Sequence, residues 1–236
     1  MTRAVCFDVD FTLIYPGPTF QGEGYRQFCT RHGLTVDAAA FGSAVAAASF
    51  ALDESQDHAF DPQVFIAYIR RIIEHMGGAG PGLDACAREI YGEWAANQHF
   101  SLYDDVAPVL TDLANAGVRL GLISNTHRSL TSFQEHFDLD GLIAAAISSS
   151  EHGYNKPHPS IFRTALRLLQ VAPAEAVMVG DNLKQDIEGA LGVGMRAVLV
   201  CRSGMPQGTG AGCREWDRPD PEVPVIRSLR DLPALL

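Results

Sequence analysis

The chain has 236 residues, of which 47% are hydrophobic and 19% charged, and its formal net charge is −10 at pH 7. These proportions are typical of a folded globular protein with a sizeable core. The negative charge argues against nucleic acid or an anionic membrane as the main partner, and an anionic small molecule would need local positive charge to bind. No apolar run reaches transmembrane length and the start shows no signal-peptide pattern, so we expect a cytoplasmic protein.

The cysteines show no metal-finger spacing, and their odd number fits a disulfide framework poorly. They are Cys6, Cys29, Cys86, Cys201 and Cys213. We expect buried free thiols, as in a reducing compartment.

The first strand ends in a group of polar side chains. The apolar run Ala4–Phe7 predicts a parallel strand buried on both faces, and Asp8, Asp10 and Thr12 follow it. Residues two apart project to the same side of a strand, and ligands of open α/β sheets bind at the carboxyl ends of the strands. Two acids at this spacing repel each other unless a cation or a shared proton intervenes. An Asp-rich turn without function is the alternative explanation.

Helix signals alone follow this strand as far as about Gln98. The prolines and glycine of Ile14–Pro18 predict a break in regular structure. The predicted helices are Tyr25–Arg31, Val36–Leu52, Pro62–Met76 and Leu83–Asn97. In the third helix, Asp61 is the N-cap and Pro62 the first residue, and one apolar stripe runs along it. Four consecutive helices predict a small helical domain, residues 17–97, which we call the helical insert.

Strands and helices alternate in the rest of the chain. The predicted strands are Val118–Ile123, Ile143–Ile147, Ala176–Val179, Ala197–Val200 and an edge strand at Val223–Ile226. The predicted helices are Val106–Asn115, Ser129–His136, one from Pro159, Asp186–Leu191 and a short one near Asp231. This alternation predicts an α/β fold with right-handed βαβ units and a parallel sheet, formed by residues 1–16 and 98–236. Residues 202–222 are predicted to be a loop.

Polar residues occur at the carboxyl end of four predicted strands or in the following loop. They are Asp8, Asp10 and Thr12, then Ser124 and Asn125, then Lys156, and last Asp181 and Asp186. Each has an ordinary explanation alone, such as a helix cap for Ser124 or a solvated loop for Lys156. Their shared placement predicts one common site.

These residues resemble the four motifs of the haloacid dehalogenase-like (HAD) hydrolase superfamily in order and spacing. The motifs are Asp8-Val-Asp10-Phe-Thr12-Leu, Ile123-Ser124-Asn125, Lys156-Pro157, and Gly180-Asp181 with Asp186. The helical insert resembles the C1-type cap of the family. The resemblance implies a Rossmann-like doubly wound parallel sheet and a Mg²⁺-dependent phosphatase that acts on a small phosphorylated metabolite.

The resemblance also implies a role for each matching residue. Asp8 is expected to be the nucleophile that forms an aspartyl-phosphate, and Asp10 the general acid and later the general base. The expected Mg²⁺ ligands are the side chains of Asp8 and Asp181 and the backbone carbonyl of Asp10, with Asp186 orienting a water or a neighbour. Thr12, Ser124 and the backbone near Asn125 are expected to hold the phosphoryl oxygens. Lys156 is expected to supply a fixed positive charge.

Two residues depart from the family pattern. Phe11 stands where glycine is common, which puts the bend after Asp10 in doubt, and Asn182 follows Asp181 where many members carry another residue. Neither departure removes a chemical group. In the helical insert and near it, Tyr15, Phe20, Arg26, the loop Gly77–Gly82 and His127 are candidate substrate contacts, with packing or solvent exposure as the alternative.

Other activities remain open at this stage. Dehalogenases of the family lack an acid at the position of Asp10 and need no metal, and phosphonatase-like members usually replace that acid too. A phosphosugar mutase keeps all four motifs. A binding protein on a retired hydrolase fold would have lost the nucleophile, the lysine or the metal acid, and a receiver domain has about half this length and no insert.

Overall fold

The computed structural model describes residues 1–49, 58–202 and 222–236. Eight strands lie in these segments: β1 Ala4–Phe7, β2 Ile14–Pro16, β3 Phe100–Leu102, β4 Arg119–Ser124, β5 Ile143–Ser148, β6 Ala176–Gly180, β7 Arg196–Val200 and β8 Val225–Ile226. Six of them form one sheet in the order β5-β4-β1-β6-β7-β8, and every pairing in it is parallel. The predicted α/β class is confirmed.

The helices of the described segments flank this sheet or lie in the helical insert. Those of the insert are α1 Gly22–Arg31, α2 Phe41–Ala48, α3 Pro62–His75 and α4 Leu83–Glu93. The others are α5 Val106–Asn115, α6 Leu130–His136, α7 Ser149–His152, α8 Pro159–Leu169 and α9 Gly189–Leu191. None of these helices is long and apolar enough to cross a membrane.

Strand β1 is the centre of the molecule. It pairs with β4 on one side and β6 on the other, and all four of its residues are fully buried. Because side chains alternate along a strand, Val5 and Phe7 join the apolar cluster on one face, whereas Ala4 and Cys6 join the cluster on the other. The strand order reverses between β1 and β6, which makes the carboxyl ends of these two strands the expected ligand site of a doubly wound sheet.

A second, two-stranded sheet joins the ends of the helical insert. Strands β2 and β3 run antiparallel, with Ile14 opposite Leu102 and Pro16 opposite Phe100. The prediction that Ile14–Pro18 breaks regular structure is therefore wrong for Ile14–Pro16. Proline is tolerated in a strand at an edge, and three residues are too few to show a periodic pattern.

Several predicted boundaries shift in the structure. Helix α4 ends at Glu93 rather than Asn97. The predicted Asp186–Leu191 helix is a π-helix over Leu183–Glu188 followed by α9. The predicted helix Val36–Leu52 is a 3₁₀-helix over Ala38–Ala40 followed by α2. Its predicted end at Leu52 lies outside the described residues. Most of the predicted 202–222 loop, with Cys213, also lies outside them.

The cysteines only partly follow the prediction of free thiols. Cys6, Cys29 and Cys86 are free and buried. Cys201 forms a disulfide, so the prediction is wrong for this residue. An odd number of cysteines leaves at least one unpaired but does not prevent a disulfide, and the cytoplasmic location stays a prediction.

The N-cap of α3 generates a stability prediction. The Asp61 carboxylate accepts a hydrogen bond from Gln63 N at 2.8 Å, as the Asp-Pro sequence predicts. Asp61→Ala leaves this N–H group without its partner, and we expect the free energy of unfolding to fall by about 1 kcal/mol in urea denaturation. Asp61→Asn keeps an oxygen acceptor and serves as the matched control. Equal losses in the two variants would contradict the capping role.

Candidate active site

The carboxyl ends of β1 and β6 bring three acids together. Asp8 follows β1 and donates its backbone N–H to the Val179 carbonyl of β6 at 2.9 Å, while Asp181 follows β6 directly. Asp8, Asp181 and Asp186 each place a carboxylate oxygen within 4.8 Å of the other two. The structure therefore gathers at the switch point of the sheet three of the residues singled out in the sequence.

Lys156 lies inside this acidic cluster. Its Nζ is 2.6 Å from Asp8 Oδ1 and 2.7 Å from Asp186 Oδ1, and its side chain is 1% exposed. Burial alone lowers the pKa of a lysine, but the charges of Asp186 and Asp8 outweigh it, and the net shift of the Lys156 pKa is upward. Lys156 is thus a fixed buried cation.

Asp186 uses both carboxylate oxygens to hold its neighbours. Oδ1 accepts from Lys156 Nζ, and Oδ2 accepts from the Asn182 backbone N–H at 3.0 Å. The side chain packs against Gly180, where a Cβ atom would overlap the Asp186 carboxylate. Asp186 therefore contacts Lys156 Nζ and the segment after β6, and its expected role of ordering a neighbour stays a prediction.

The Asn125 side chain holds the backbone of Lys156. Its Oδ1 accepts from Lys156 N at 2.6 Å, and its Nδ2 donates to Lys156 O at 3.0 Å and to Gln185 Oε1 at 3.0 Å. This amide therefore links the end of β4 to the loop that contains Lys156 and to the segment after β6. Gln185 is not indicated by the sequence patterns, because its role depends on this contact alone.

When ionised, the three acids of the cluster would carry more negative charge than Lys156 balances. Burial, then the charges of Asp186 and Asp10, raise the pKa of Asp8 to about 7 against the opposing effect of Lys156. Burial and the charges of Asp8 and Asp186 likewise raise the pKa of Asp181 well above its ordinary value. Carboxylate oxygens in such a cluster suit a hard cation such as Mg²⁺. Asp8, Asp181 and Asp186 could together hold such an ion, and of these Asp186 already accepts one hydrogen bond at each carboxylate oxygen.

Two hydroxyls, one in the segment after β1 and one at the end of β4, are buried. Thr12 is 0% exposed and Ser124 is 1% exposed, and neither hydroxyl oxygen has a hydrogen-bond partner within the described segments. Buried hydroxyls are normally paired, so these two retain capacity for a ligand. Both residues were indicated by the sequence.

The backbone after Asp10 keeps the bend that the sequence put in doubt. Phe11 has a φ of +67°, in the left-handed region that favours glycine. Its backbone N–H donates to Ile14 O at 2.7 Å, and its ring lies 6.4 Å from that of Trp94. Phe11 therefore adopts the left-handed backbone conformation that is usual for glycine, and its ring packs against Trp94 of the helical insert.

Asp10 pairs with a residue that sequence reasoning missed. Arg128 Nη1 is 3.0 Å from Asp10 Oδ1 and 3.3 Å from Oδ2, and the Arg128 side chain is fully buried. The signal in the sequence is a charged residue three positions after Asn125, close behind a buried strand. That signal does not reveal burial or the partner.

The remaining candidate contacts are engaged in packing or at the surface. The His127 ring stacks on Tyr91 of α4 with centroids 3.9 Å apart, and burial lowers the pKa of His127. Phe20 is buried against Trp94 and Phe100. Arg26 is exposed and pairs with Glu23, and Tyr15 packs on Tyr103 at 4.9 Å.

A doubly wound sheet with a buried lysine among carboxylates at its switch point defines a class of hydrolase, and similarity to known proteins identifies the family. A family model described as haloacid dehalogenase-like hydrolase matches residues 2–194. The chain belongs to this family.

The chain is similar to characterised proteins over different lengths. It is 31% identical over 239 residues to a glyceraldehyde 3-phosphate phosphatase of Methanopyrus kandleri, covering 98% of this chain and 97% of that protein. It is 36% identical over 160 residues to the N-acylneuraminate-9-phosphatase of Rattus norvegicus, covering 64% of this chain but only 58% of that protein. Among solved structures, a 2-haloacid dehalogenase from Pseudomonas syringae pv. Tomato DC3000 is 26% identical, with a TM-score of 0.62 and coverage of 100% of this chain and 98% of that chain.

The close approach of Gly180 and Asp186 generates a second prediction. In Gly180→Ala the added methyl group overlaps the Asp186 carboxylate, and we expect the free energy of unfolding to fall by about 1–3 kcal/mol in chemical denaturation. Gly92→Ala is the matched control, because a Cβ at Gly92 meets nothing within 4 Å. That helical variant should be as stable as the parent or more stable, by up to about 1 kcal/mol. Equal stability of Gly180→Ala and the parent would contradict the tight packing.

Proposed function

We propose that this protein is a Mg²⁺-dependent phosphatase that hydrolyses a small phosphorylated metabolite through an aspartyl-phosphate on Asp8. The observation that carries the proposal is the position of Lys156 Nζ, 2.6 Å from Asp8 Oδ1 in a cluster that also contains Asp181. Similar proteins named as phosphatases of glyceraldehyde 3-phosphate and of N-acylneuraminate 9-phosphate support the same reaction class.

In the proposed first step, an Asp8 oxygen attacks the phosphorus and the bond to the leaving oxygen breaks. Lys156 binds Asp8 Oδ1 and carries a fixed charge that stabilises the negative charge of the transferring group. Asp186 and Asn125 hold Lys156 at its Nζ and at its backbone, so the cation is in place before the substrate arrives.

The hydroxyls of Thr12 and Ser124 are the proposed donors to the phosphoryl oxygens. Both are buried and lack partners in the part of the chain that the structure describes. A phosphoryl group, which has several acceptor oxygens, would supply the hydrogen-bond partners that these hydroxyls lack. The Asn125 side chain would contribute to phosphate binding only indirectly, because it already bonds the backbone of Lys156.

The acids beside Lys156 are the proposed metal site. Asp8 and Asp181 would hold Mg²⁺ through their side chains, together with the backbone carbonyl of Asp10. When bound, the ion offsets the negative charge of the acids and of the phosphate. The raised pKa values of Asp8 and Asp181 express first the cost of burying these carboxylates and then the repulsion between them.

Asp10 is the proposed general acid and base. It would donate a proton to the leaving oxygen and take one from the water that attacks the aspartyl-phosphate. Its side chain is 17% exposed, so a substrate can reach it.

The helical insert is the proposed cap, with residues 1–16 and 98–236 as the core. Its segment 58–60 pairs with the loop before Lys156: Phe60 N donates to Gly153 O at 2.9 Å, and His58 O accepts from Asn155 N at 2.7 Å. Tyr91 of the insert stacks on His127 of the core. An element in these positions borders the site and would exclude water and select the substrate.

Other activities of the same fold require different residues or give different products. The family resemblance associates dehalogenation with the absence of an acid at the position of Asp10, and here this acid is present and paired with Arg128. A phosphosugar mutase would return an isomeric phosphate instead of free phosphate. The informative screen is release of phosphate from a panel of phosphorylated metabolites with Mg²⁺, with halide release from a haloacid measured in parallel.

The nucleophile is the first test of the proposed reaction. Asp8→Asn removes the attacking carboxylate, and we expect the kcat for phosphate release from a chromogenic phosphate ester to fall by at least about 10³-fold. Asp112→Asn, at an exposed position on α5, is the matched control and should keep the activity of the parent. Turnover that survives in Asp8→Asn would refute the covalent scheme.

The metal site is tested by thermal unfolding at two pH values. The folded-state pKa of Asp8 is about 7, above its ordinary value of 3.8, so the metal-free protein should lose stability as pH rises through this interval. Mg²⁺ binds the ionised acids, and we expect it to raise the Tm by about 5 °C near pH 8 and by much less near pH 5.

Asp181→Asn should abolish the Mg²⁺-dependent increase in Tm, and EDTA should abolish phosphate release by the parent until Mg²⁺ is restored. An increase in Tm of the same size at both pH values, or one that persists in Asp181→Asn, would contradict the assigned ligands.

A further inference from the structure

Arg128 is a wholly buried cation at the edge of the site. Its Nη1 contacts both oxygens of Asp10, at 3.0 and 3.3 Å, and its Nη2 donates to the Trp94 carbonyl at 2.8 Å. Its guanidinium also lies over the Phe100 ring, 4.3 Å from the ring centre. Three separated parts of the chain therefore meet on this side chain.

Burying a guanidinium is costly unless its donors are paired. Asp10 supplies the compensating charge, while the Trp94 carbonyl and the Phe100 ring hold the other side of the guanidinium. Nη1 and Nη2 are thus paired, whereas Nε has no hydrogen-bond partner among the described residues. Because the Arg128 side chain is fixed on both sides, the Asp10 carboxylate that it binds has one preferred orientation. Free rotation of Asp10 would break the contact with Nη1.

The contact leaves Asp10 accessible to other partners. Only one nitrogen of Arg128 contacts the carboxylate, and the Asp10 side chain stays 17% exposed whereas that of Arg128 is fully buried. Arg128 therefore touches the acid from its buried side and does not cover it. Such an arrangement suits a group that orients an acid without itself meeting the substrate.

We propose that Arg128 is the positioning residue for Asp10, holding the carboxylate where it exchanges a proton with the leaving oxygen and then with the attacking water. This role rests on the proposed phosphatase function. The Trp94 carbonyl, just after α4, makes the end of the helical insert part of the same support.

The variant Arg128→Met removes the donors but keeps much of the apolar volume. We expect kcat for a phosphate ester to fall about 10- to 100-fold, because an unsupported general acid loses most of its 10²- to 10⁴-fold contribution, whereas KM should stay within about 2-fold. Circular dichroism and the Tm identify a variant that has failed to fold.

A double-mutant cycle with Asp10→Asn separates positioning from general destabilisation. If Arg128 acts through Asp10, Arg128→Met should lower kcat by less than about 2-fold in the Asp10→Asn background. Arg202→Met is the matched comparison: Arg202 is another arginine with a mostly buried side chain, and it contacts Thr12 O and Asp105 rather than Asp10. The fold-change in kcat caused by Arg202→Met should be the same in the parent and in the Asp10→Asn background. Asp8→Asn provides the blank for residual activity.

The outcomes distinguish this role from the function on which it rests. A parent protein that releases no phosphate from any ester would overturn the proposed function, and the role of Arg128 with it. An active parent in which Arg128→Met keeps full kcat, or lowers it equally in both Asp10 backgrounds, would overturn the role of Arg128 alone. Loss of activity through a raised KM with kcat unchanged would also overturn it, since that result assigns Arg128 to substrate binding.

Discussion

The arrangement of the site depends on one buried cation shared by two acids. Lys156 Nζ binds Asp8 and Asp186 at 2.6 and 2.7 Å, and without it these carboxylates would face each other in a buried setting. The lysine balances only part of the charge, because Asp181 lies in the same cluster. When all three acids are ionised, they outnumber the lysine, and such a site favours binding of a cation. The pairing of Lys156 thus accounts for part of the charge of the cluster, and the proposed metal accounts for the rest.

The segment that follows β1 is held from two sides by arginines. Arg128 binds the side chain of Asp10, and Arg202 donates to the backbone carbonyl of Thr12 at 2.6 and 3.2 Å while pairing with Asp105. Between these anchors Phe11 has a positive φ, which costs conformational energy for a residue other than glycine. The strain persists because the surrounding contacts determine the path of the backbone. The motif therefore tolerates phenylalanine at this position without losing its bend.

The sequence predicts the strand ends well because parallel strands end at a common edge. A buried run followed by Asp8, and another followed by Asp181, is enough to bring these two acids together once the strands are neighbours. The same reasoning places Lys156 only approximately, since its loop has no periodic pattern. It does not predict Arg128, whose burial depends on the Trp94 carbonyl and the Phe100 ring, or the β2–β3 pairing, which joins segments far apart in the chain. Contacts between loops are decided by tertiary packing, and short local patterns carry little information about them.

The contacts of the helical insert are made with the same loops that carry the functional side chains. Tyr91 stacks on His127, two residues after Asn125, and Trp94 O accepts from Arg128, whereas segment 58–60 pairs with residues 153 and 155, just before Lys156. Separating the insert from the core would break these contacts, which are made by Arg128 itself or by residues one to three positions from Arg128 or Lys156. The position of the insert and the geometry of the acids are therefore physically linked. The insert that is proposed to select the substrate is thus also in contact with the loops that carry the proposed catalytic groups.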